Sequence, residues 1–366
     1  MESIGYVVCS TPNGRGIHRY ALYLSKEVCN YELVAPKRKK RFLWWEMVEI
    51  VRHCRKLMKA DRVIFVNTRI SPLLWPFLRW SKITVVVHDI MDTDGEAKVV
   101  IMDESLLQGC VRIARVRLNS WVFRYSVKHA GSVICNSRYT RENLAIWLDM
   151  KYRESTVVHP PLSFRQVLEV GNGRDKDVTT EVIDILAVAG MSRNKCVYDY
   201  LRWHNEMRKR TNRELKLTIY GVEMERLDEE GIGYINRNGD SIKVKYGRSS
   251  DELAKDYLDC SFFLSLSGEE GYGMPVADAC SFGIRVVARS IGAFKEQKEC
   301  ERGRECLVLR ESLEECVEES INMLAWLDKA SNSYFDKRSR INRYQKWLDH
   351  GLGLDKQMMG CAAQEM

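Results

Sequence analysis

The chain has 366 residues, of which 45% are hydrophobic and 29% are charged, a globular composition that excludes an intrinsically disordered protein. A chain of this length is too long to fold around one ordinary hydrophobic core, so we expect two domains. The net charge of +7 is mild, and nucleotide sugars, phospholipid surfaces and nucleic acid fit it equally well.

Targeting signals and cysteine usage indicate the cellular compartment in which we expect the protein. No apolar run is long enough for a transmembrane helix, and no basic segment precedes an apolar one at the start, so we expect no signal peptide. The twelve cysteines lie singly, which predicts free thiols and a cytoplasmic protein. A Cys300–Cys306 disulfide is the less favoured alternative. No cluster has the spacing of metal ligands, so we expect no metal and no cofactor.

The first predicted domain, residues 1–165, begins with a buried strand over residues 4–9. Gly14 and Gly16 follow it, and they either turn the chain or bring the backbone close to a ligand. Further buried strands are predicted over residues 62–67 and 83–87. The second of these ends at His88, which is either a site residue or a polar strand terminus.

The most basic run, Lys37–Trp45, ends in two tryptophans. A charge run of this kind is usually a solvated face. The sharper interpretation is a peripheral membrane contact, in which the basic side chains meet anionic lipid and the tryptophans lie at the interface. Nucleic acid is a third and less favoured partner.

A polar stretch over residues 163–180 suits an interdomain linker, and the second domain, residues 181–330, restarts with a strand. Gly190, Arg193 and Lys195 then precede a helix predicted over residues 197–208. A glycine turn, two cations and a helix start form a setting for phosphate, although surface charges near a turn are the simpler explanation. Residues 331–366 are expected to form a final helix and a loose tail.

The segment over residues 261–296 is the most informative part of the chain. It predicts a strand, a glycine-rich loop, a helix ending at Gly283 and another strand, so the loop should lie at the carboxyl edge of a parallel sheet, where ligands bind. Glu270 and Asp278 are eight residues apart, and on a simple helix both would face one ligand. Paired carboxylates suit sugar hydroxyls. The alternative is a tight turn with solvated acids. The loop residues that follow Glu270 are Gly271, Tyr272, Gly273, Met274 and Pro275.

This segment resembles the donor-site signature of the retaining GT-B glycosyltransferases of family 4. In that family the first acid contacts the donor sugar and the second, a glutamate, contacts the ribose; here the second acid is the shorter Asp278. The loop around Gly14 and Gly16 resembles the family's first glycine loop, and His88 resembles its cleft histidine. The segment after Gly190 resembles its diphosphate-binding loop, to which Lys195 carries over well. Arg193 carries over only loosely, because Met191 lies nearest the family's usual arginine.

The resemblance implies an α/β protein of GT-B fold, with two Rossmann-like domains facing across a cleft, the first on the acceptor side and the second binding the donor. It also implies that the helix within residues 331–366 returns towards the first domain. It implies transfer of a sugar, with retention, from a UDP- or GDP-linked donor to a glycan or lipid-linked acceptor, without a metal and without a nucleic-acid partner. A non-catalytic glycan- or partner-binding relative, or a GT-B epimerase or phosphorylase, is the alternative. His88, Glu270, Lys195 and Arg193 are the implied catalytic residues. The implied donor-binding residues are Gly14, Gly16, Gly190, Gly271, Tyr272, Gly273, Met274, Pro275 and Asp278.

Overall fold

The computed structural model describes residues 5–9, 16–29, 31–34, 57–66, 70, 75–76, 78–88, 106–148, 155–164, 182–247, 249–330 and 332–348. The chain divides into two compact units whose boundary lies between Pro161 and Leu162. Gly14, the basic run Lys37–Trp45 and most of the expected linker lie outside the described residues. Each unit carries its own sheet and its own hydrophobic clusters.

The first unit is built on a six-stranded parallel sheet in the order β2-β1-β3-β4-β5-β6. Its four inner strands are rich in valine and isoleucine and are mostly buried on both faces, as parallel strands between helices require. The strands are β1 (Gly5–Cys9), β2 (Glu32–Val34), β3 (Arg62–Val66), β4 (Ile83–Val87), β5 (Ser132–Cys135) and β6 (Thr156–Val157).

The helices of the first unit connect these parallel strands. Helix α1 (Gly16–Tyr23) follows β1 and continues as a π-helical turn over Leu24–Val28. Helix α2 (Leu106–His129) leads into β5, and α3 (Arg138–Leu148) follows it. The sequence predicts a largely helical stretch from residue 96 to residue 130, and the described part of it confirms helix.

The second unit carries a six-stranded parallel sheet in the order β12-β11-β10-β7-β8-β9. The chain starts in the middle at β7, builds outwards to β9, and returns to the middle at β10. Such a reversal leaves a crevice at the carboxyl ends of the two middle strands, the usual ligand position in open α/β sheets. The strands are β7 (Val182–Val188), β8 (Glu214–Tyr220), β9 (Ile242–Lys245), β10 (Phe262–Ser265), β11 (Val286–Arg289) and β12 (Leu307–Arg310).

The helices of the second unit begin at clear sequence signals. Ser249 and Glu252 form a reciprocal capping box at α6, and Ser312 caps α10 by accepting a hydrogen bond from the Glu315 amide. A short 3₁₀ turn, Arg193–Lys195, precedes α4. The helices are α4 (Val197–Arg210), α5 (Glu229–Arg237), α6 (Ser250–Asp259), α7 (Met274–Ser281), α8 (Gly292–Glu299), α9 (Glu301–Cys306), α10 (Leu313–Leu327), α11 (Asn332–Phe335) and α12 (residues 337–348).

Helix α12 packs within the second unit. Tyr344 and Leu348 belong to the same hydrophobic cluster as β10 and β11. The buried Arg340 donates to the carbonyl oxygens of Tyr257, Leu258 and Cys260 at 2.8–3.1 Å. A guanidinium needs such acceptors when it is buried, so these bonds hold the helix on α6.

Candidate active site

Two loops meet at the carboxyl edge of the second sheet, because β7 and β10 are neighbours in it. One loop runs from β7 to α4 and the other from β10 to α7. The amide of Gly268 donates to the carbonyl oxygen of Asn194 at 2.8 Å, and the Asn194 side-chain amide donates to the carbonyl oxygen of Glu269 at 3.1 Å. These bonds fasten the glycine-rich loop to the 3₁₀ turn.

Lys195 and Glu270 form an ion pair across these two loops, through Nζ and Oε1. The side chains are 24% and 12% exposed, so the pair is partly shielded while a solvent path to both groups remains. A partly buried ammonium beside a carboxylate offers a point charge for phosphate and two acceptor atoms for hydroxyls. The sequence predicts both residues for this chemistry, and the structure brings them together.

The glycine loop adopts its shape because Gly273 has no side chain. Its φ is +81°, a left-handed conformation, and a Cβ there would lie 2.2 Å from Cε1 of Phe294. The buried Gln297 side chain donates to the carbonyl oxygens of Tyr272 and Gly273, and the Tyr257 hydroxyl donates to that of Pro275 at 3.0 Å. These contacts place the first turn of α7 directly after the loop.

The entrance to the loop is held as firmly as its exit. The amide of Leu266 donates to the hydroxyl oxygen of Tyr200 at 2.9 Å, and burial of this phenol raises its pKa. Arg289 donates to the carbonyl oxygen of Leu266 at 3.1 Å and to the Asp199 carboxylate at 2.8 Å. Strand β11 and helix α4 therefore fix the backbone from which Glu270 projects.

The comparisons with known proteins agree with this geometry. Residues 183–325 match the family model described as glycosyl transferases group 1. The matched span contains β7, the Lys195 turn, the glycine loop and most of α10. No curated protein matches the sequence closely enough to count as a relative.

This part of the chain, which lies within the second unit, is similar to the group 1 glycosyltransferases. Solved structures show which fold the chain has. A sucrose-phosphate synthase from Thermosynechococcus elongatus superposes with a TM-score of 0.68 at 13% identity, covering 99% of this chain and 98% of its own. HepE from Anabaena, solved with UDP and glucose, gives 0.66 at 12% identity, covering 99% and 100%. WaaG, a glycosyltransferase involved in lipopolysaccharide biosynthesis, gives 0.63 at 12%, covering 94% and 95%. These likenesses confirm the predicted GT-B fold and its two Rossmann-like units.

Asp278 lies in the interior of the second unit. The helical face that the sequence analysis assumed does not exist, because α7 begins only at Met274 and Glu270 precedes it. The Asp278 side chain is 2% exposed, and its Oδ1 accepts hydrogen bonds from the Ser163 amide at 2.8 Å and from the Tyr344 hydroxyl at 3.1 Å. Its geometry is that of an internal anchor for α12 and for the start of the unit.

Tyr272 also points into the interior. Its ring is 5% exposed, and its hydroxyl accepts a hydrogen bond from Nη2 of Arg302 at 2.8 Å. Gly271 is buried beside it, whereas Met274 and Pro275 at the start of α7 are half-buried. The Tyr272 ring is therefore a packing contact inside the second unit.

The remaining glycines and Arg193 have simpler positions. Gly190 follows β7, and a Cβ there would lie 3.7 Å from Cγ of Lys195, so this glycine lies beside the lysine stem. Arg193 is exposed at the start of the 3₁₀ turn. Gly16 begins α1 in the first unit, and Gly14 lies outside the described residues.

His88 directly follows β4 in the first unit and is 5% exposed. Burial lowers its pKa to about 3, so the imidazole is neutral near pH 7. Its Nδ1 lies 3.4 Å from Nδ2 of Asn136, and Tyr20 packs edge-on against the ring with centroids 4.8 Å apart. Within the described part of the chain, Nε2 of His88 has no hydrogen-bond partner.

Some residues that shape the site carry no sequence signal. Asn194 joins the two loops, Gln297 holds the glycine loop, and Arg302 supports Tyr272. Each acts through a contact between segments that are distant in sequence or through a backbone carbonyl. Among the described residues, no cluster of His, Cys, Asp and Glu could hold a metal, and no helix is long and apolar enough to cross a membrane.

Proposed function

We propose that this chain transfers a sugar, with retention of anomeric configuration, from a UDP- or GDP-linked donor to a glycan or lipid-linked acceptor. The observation that carries the proposal is the Lys195–Glu270 pair at the switch point of the second sheet. This position suits a dinucleotide-sized ligand in folds of this kind. HepE, which shares the fold, is described in complexes with UDP-glucose and with UDP and glucose.

In the proposed reaction the acceptor hydroxyl forms a new C–O bond at the anomeric carbon. The bond to the diphosphate breaks, its electron pair leaves with the nucleoside diphosphate, and the acceptor proton passes to a leaving phosphate oxygen. Lys195, assisted by Arg193, stabilises the charge that develops on the diphosphate. These two cations supply positive charge, so the proposed mechanism requires no metal.

Glu270 has the role of gripping the donor sugar. In the free protein the carboxylate is paired with Lys195, and a donor would bring its own partners for both groups: phosphate for the ammonium and hydroxyls for the carboxylate. The ion pair therefore gives each of the two charged groups a partner until the ligand binds. Asp278 is not part of this donor site, because its Oδ1 is already bound inside the unit.

In the first unit, His88 is the residue proposed to contact the sugar or the acceptor. Its neutral imidazole and the unpaired Nε2 support a hydrogen bond to an uncharged group. The run Lys37–Trp45 keeps its proposed role in peripheral membrane contact, although it lies outside the described residues. Nothing in the comparisons supports an epimerase, a phosphorylase or a non-catalytic relative.

The first experiment is a thermal-shift screen of UDP, GDP and ADP and their sugar conjugates, run with and without EDTA. A ligand that binds only the folded state raises the melting temperature by mass action. We expect one nucleotide class to give a shift that survives EDTA. Lys195→Ala should remove the shift with nucleotide and conjugate alike, whereas Glu270→Ala should remove only the extra shift that the sugar provides.

Lys209→Ala is the matched control, because Lys209 forms an exposed ion pair with Glu206 at 2.6 Å on helix α4. This variant should keep the full shift. If no nucleotide or conjugate shifts the melting temperature of the native chain, the donor-site assignment is wrong. If both site variants behave like Lys209→Ala, the Lys195–Glu270 pair is not the donor site.

A further inference from the structure

The exposed face of helix α2 in the first unit combines aromatic rings with cations. Trp121 is 53% exposed and Leu118 is 58% exposed, although side chains of this size usually lie inside. Arg117, Arg124 and Lys128 are exposed on the same helix. At helical spacing these residues share one side of α2, so the outward surface of the helix is both apolar and positive.

Four rings from two segments extend this apolar surface into a layer, which we call the aromatic shelf: Trp75, Trp80, Tyr125 and His129, with Trp121 at its edge. Trp75 stacks on Tyr125 with centroids 3.7 Å apart, and Tyr125 stacks on His129 at 3.9 Å. Trp121 lies 5.3 Å from Trp75. Offset and stacked rings of this kind pack rigidly, so the shelf is preorganised.

Two polar atoms of the shelf are satisfied within the chain. Nε1 of Trp75 donates to the carbonyl oxygen of Ile70 at 3.0 Å. Nδ1 of His129 lies 2.8 Å from the carbonyl oxygen of Tyr125, so it carries the proton and donates. The shelf can therefore present ring faces outwards without leaving these donors unpaired.

The long stretches of sequence that contribute the shelf carry positively charged residues and no acidic ones. Residues 105–141 contain no Asp and no Glu, and neither do residues 62–88, although the whole chain has 50 acidic residues against 57 basic ones. Helix α2 alone carries five basic residues: Arg112, Arg115, Arg117, Arg124 and Lys128. Asp61, the acid next to the second stretch, is paired with Lys82 at 3.5 Å.

We propose that the aromatic shelf and the exposed cations of α2 form a docking surface for an anionic lipid bilayer. Tryptophan and tyrosine rings fit the membrane–water interface, and arginine and lysine beside them attract anionic headgroups. The absence of acids in these stretches removes the repulsion that such headgroups would otherwise meet. The residues of this surface are separate in sequence from the Lys37–Trp45 run, and the inference does not depend on the transfer reaction.

The test is co-sedimentation of the full chain with vesicles of phosphatidylcholine, alone or mixed with phosphatidylglycerol at roughly one part in three. We expect binding to the mixed vesicles, little binding to phosphatidylcholine alone, and release of the bound protein at about 1 M salt. The double reversal Arg117→Glu with Lys128→Glu should weaken partitioning by about 20-fold or more, since each cation contributes roughly a fivefold effect.

Matched variants separate the shelf from general surface effects. Trp121→Ala should weaken partitioning about fivefold by removing interfacial ring area. Tyr246→Ala, at a residue that is also 53% exposed but lies in the second unit, should leave it unchanged. Lys243→Glu with Lys255→Glu changes the charge of exposed second-unit residues by the same amount as the α2 reversal and should have a smaller effect.

Three outcomes of the vesicle assay would overturn the inference: no binding to mixed vesicles, equal loss with the two charge reversals, or loss only when Lys39 and Lys40 are reversed in the other basic run.

Release of the bound protein by a short RNA duplex at equal phosphate concentration, with full retention of RNA binding in Trp121→Ala, would assign the surface to nucleic acid instead. If Trp121→Ala fails to fold, Leu118→Ser replaces it, because that residue is more exposed and the change removes apolar area without adding charge. A chain that docks but shifts with no nucleotide would contradict the proposed function alone.

Discussion

The carboxyl edges of the two sheets present different chemistry. The edge of the second sheet carries a charged pair, Lys195 and Glu270, both reachable from solvent. The edge of the first sheet carries His88, which is buried, neutral and unpaired at Nε2 within the described part of the chain. A charged pair suits a diphosphate and a sugar, whereas a neutral imidazole suits hydroxyl groups.

This difference shows how one architecture serves two roles. Both sheets are parallel and buried, and both end in loops at the carboxyl edge, so the fold does not decide the chemistry. The local supports decide it. In the second unit a left-handed glycine and a buried glutamine shape a loop that exposes charge; in the first unit the packing of Tyr20 and Asn136 around the imidazole keeps it uncharged.

The largest effect should come from breaking the loop that carries the charged edge. Gly273→Ala introduces a Cβ at φ +81° and 2.2 Å from the Phe294 ring, so it combines a left-handed backbone cost with overpacking. We expect a loss of about 4 kcal/mol in the free energy of unfolding. Urea unfolding followed by tryptophan fluorescence measures it.

Gly247→Ala is the matched control for that change. Its φ is +68°, and a Cβ there meets nothing within 4 Å, so it bears the backbone cost alone, about 1–2 kcal/mol. If the two variants lose equal stability, the Phe294 contact does not constrain the loop.

A smaller effect separates the two acids of the glycine segment. Asp278→Ala leaves the Ser163 amide and the Tyr344 hydroxyl without their acceptor in the interior, which should cost about 3 kcal/mol of stability. The affinity for the nucleotide should stay within about twofold of the native value, because Asp278 does not reach the ligand. Isothermal titration of the folded variant with the nucleotide from the screen tests this.

Tyr344→Phe completes a double-mutant cycle with Asp278→Ala. The two residues are in contact, so their effects on stability should be non-additive by about 1 kcal/mol. A tenfold loss of nucleotide affinity in Asp278→Ala with unchanged stability would instead make Asp278 a ligand-binding residue.

The sequence predicts the contents of the second edge well because they are local. A strand, a glycine loop and a helix lie in consecutive residues, and so do Gly190, the 3₁₀ turn and α4, so Glu270 and Lys195 can be placed from their neighbours alone. Their pairing depends in addition on β7 and β10 being neighbours in the sheet, and the sequence alone does not show this.

The direction of Asp278 was not predictable in the same way. Its position on α7 depends on where that helix begins, and its partners come from the start of the unit and from α12, both far away in sequence. The same holds for the placement of α12, which is fixed by Arg340 and carbonyls of residues 257–260. Contacts of this kind leave no periodic or compositional trace.

The smallest predicted effect concerns His88, the neutral residue at the carboxyl edge of the first sheet. The unfolded histidine has a pKa near 6.5, whereas burial lowers the pKa of His88 to about 3 in the folded chain. The unfolded state therefore takes up a proton first as the pH falls, so the stability from this residue is complete above pH 6.5 and declines between about pH 6.5 and pH 3. From about pH 7 to pH 5 the decline should be about 2 kcal/mol.

His88→Gln isolates this contribution, because glutamine does not titrate. Urea unfolding of the native chain and the variant at about pH 7 and pH 5 gives the difference, and the variant should lose about 2 kcal/mol less than the native chain over this interval. Equal losses would show that the imidazole is already accessible to protons, and the first edge would then carry charge in mild acid as the second edge does. A loss confined to the native chain means that His88 stays neutral wherever the chain is folded, which is the state in which Nε2 can hydrogen-bond an uncharged hydroxyl.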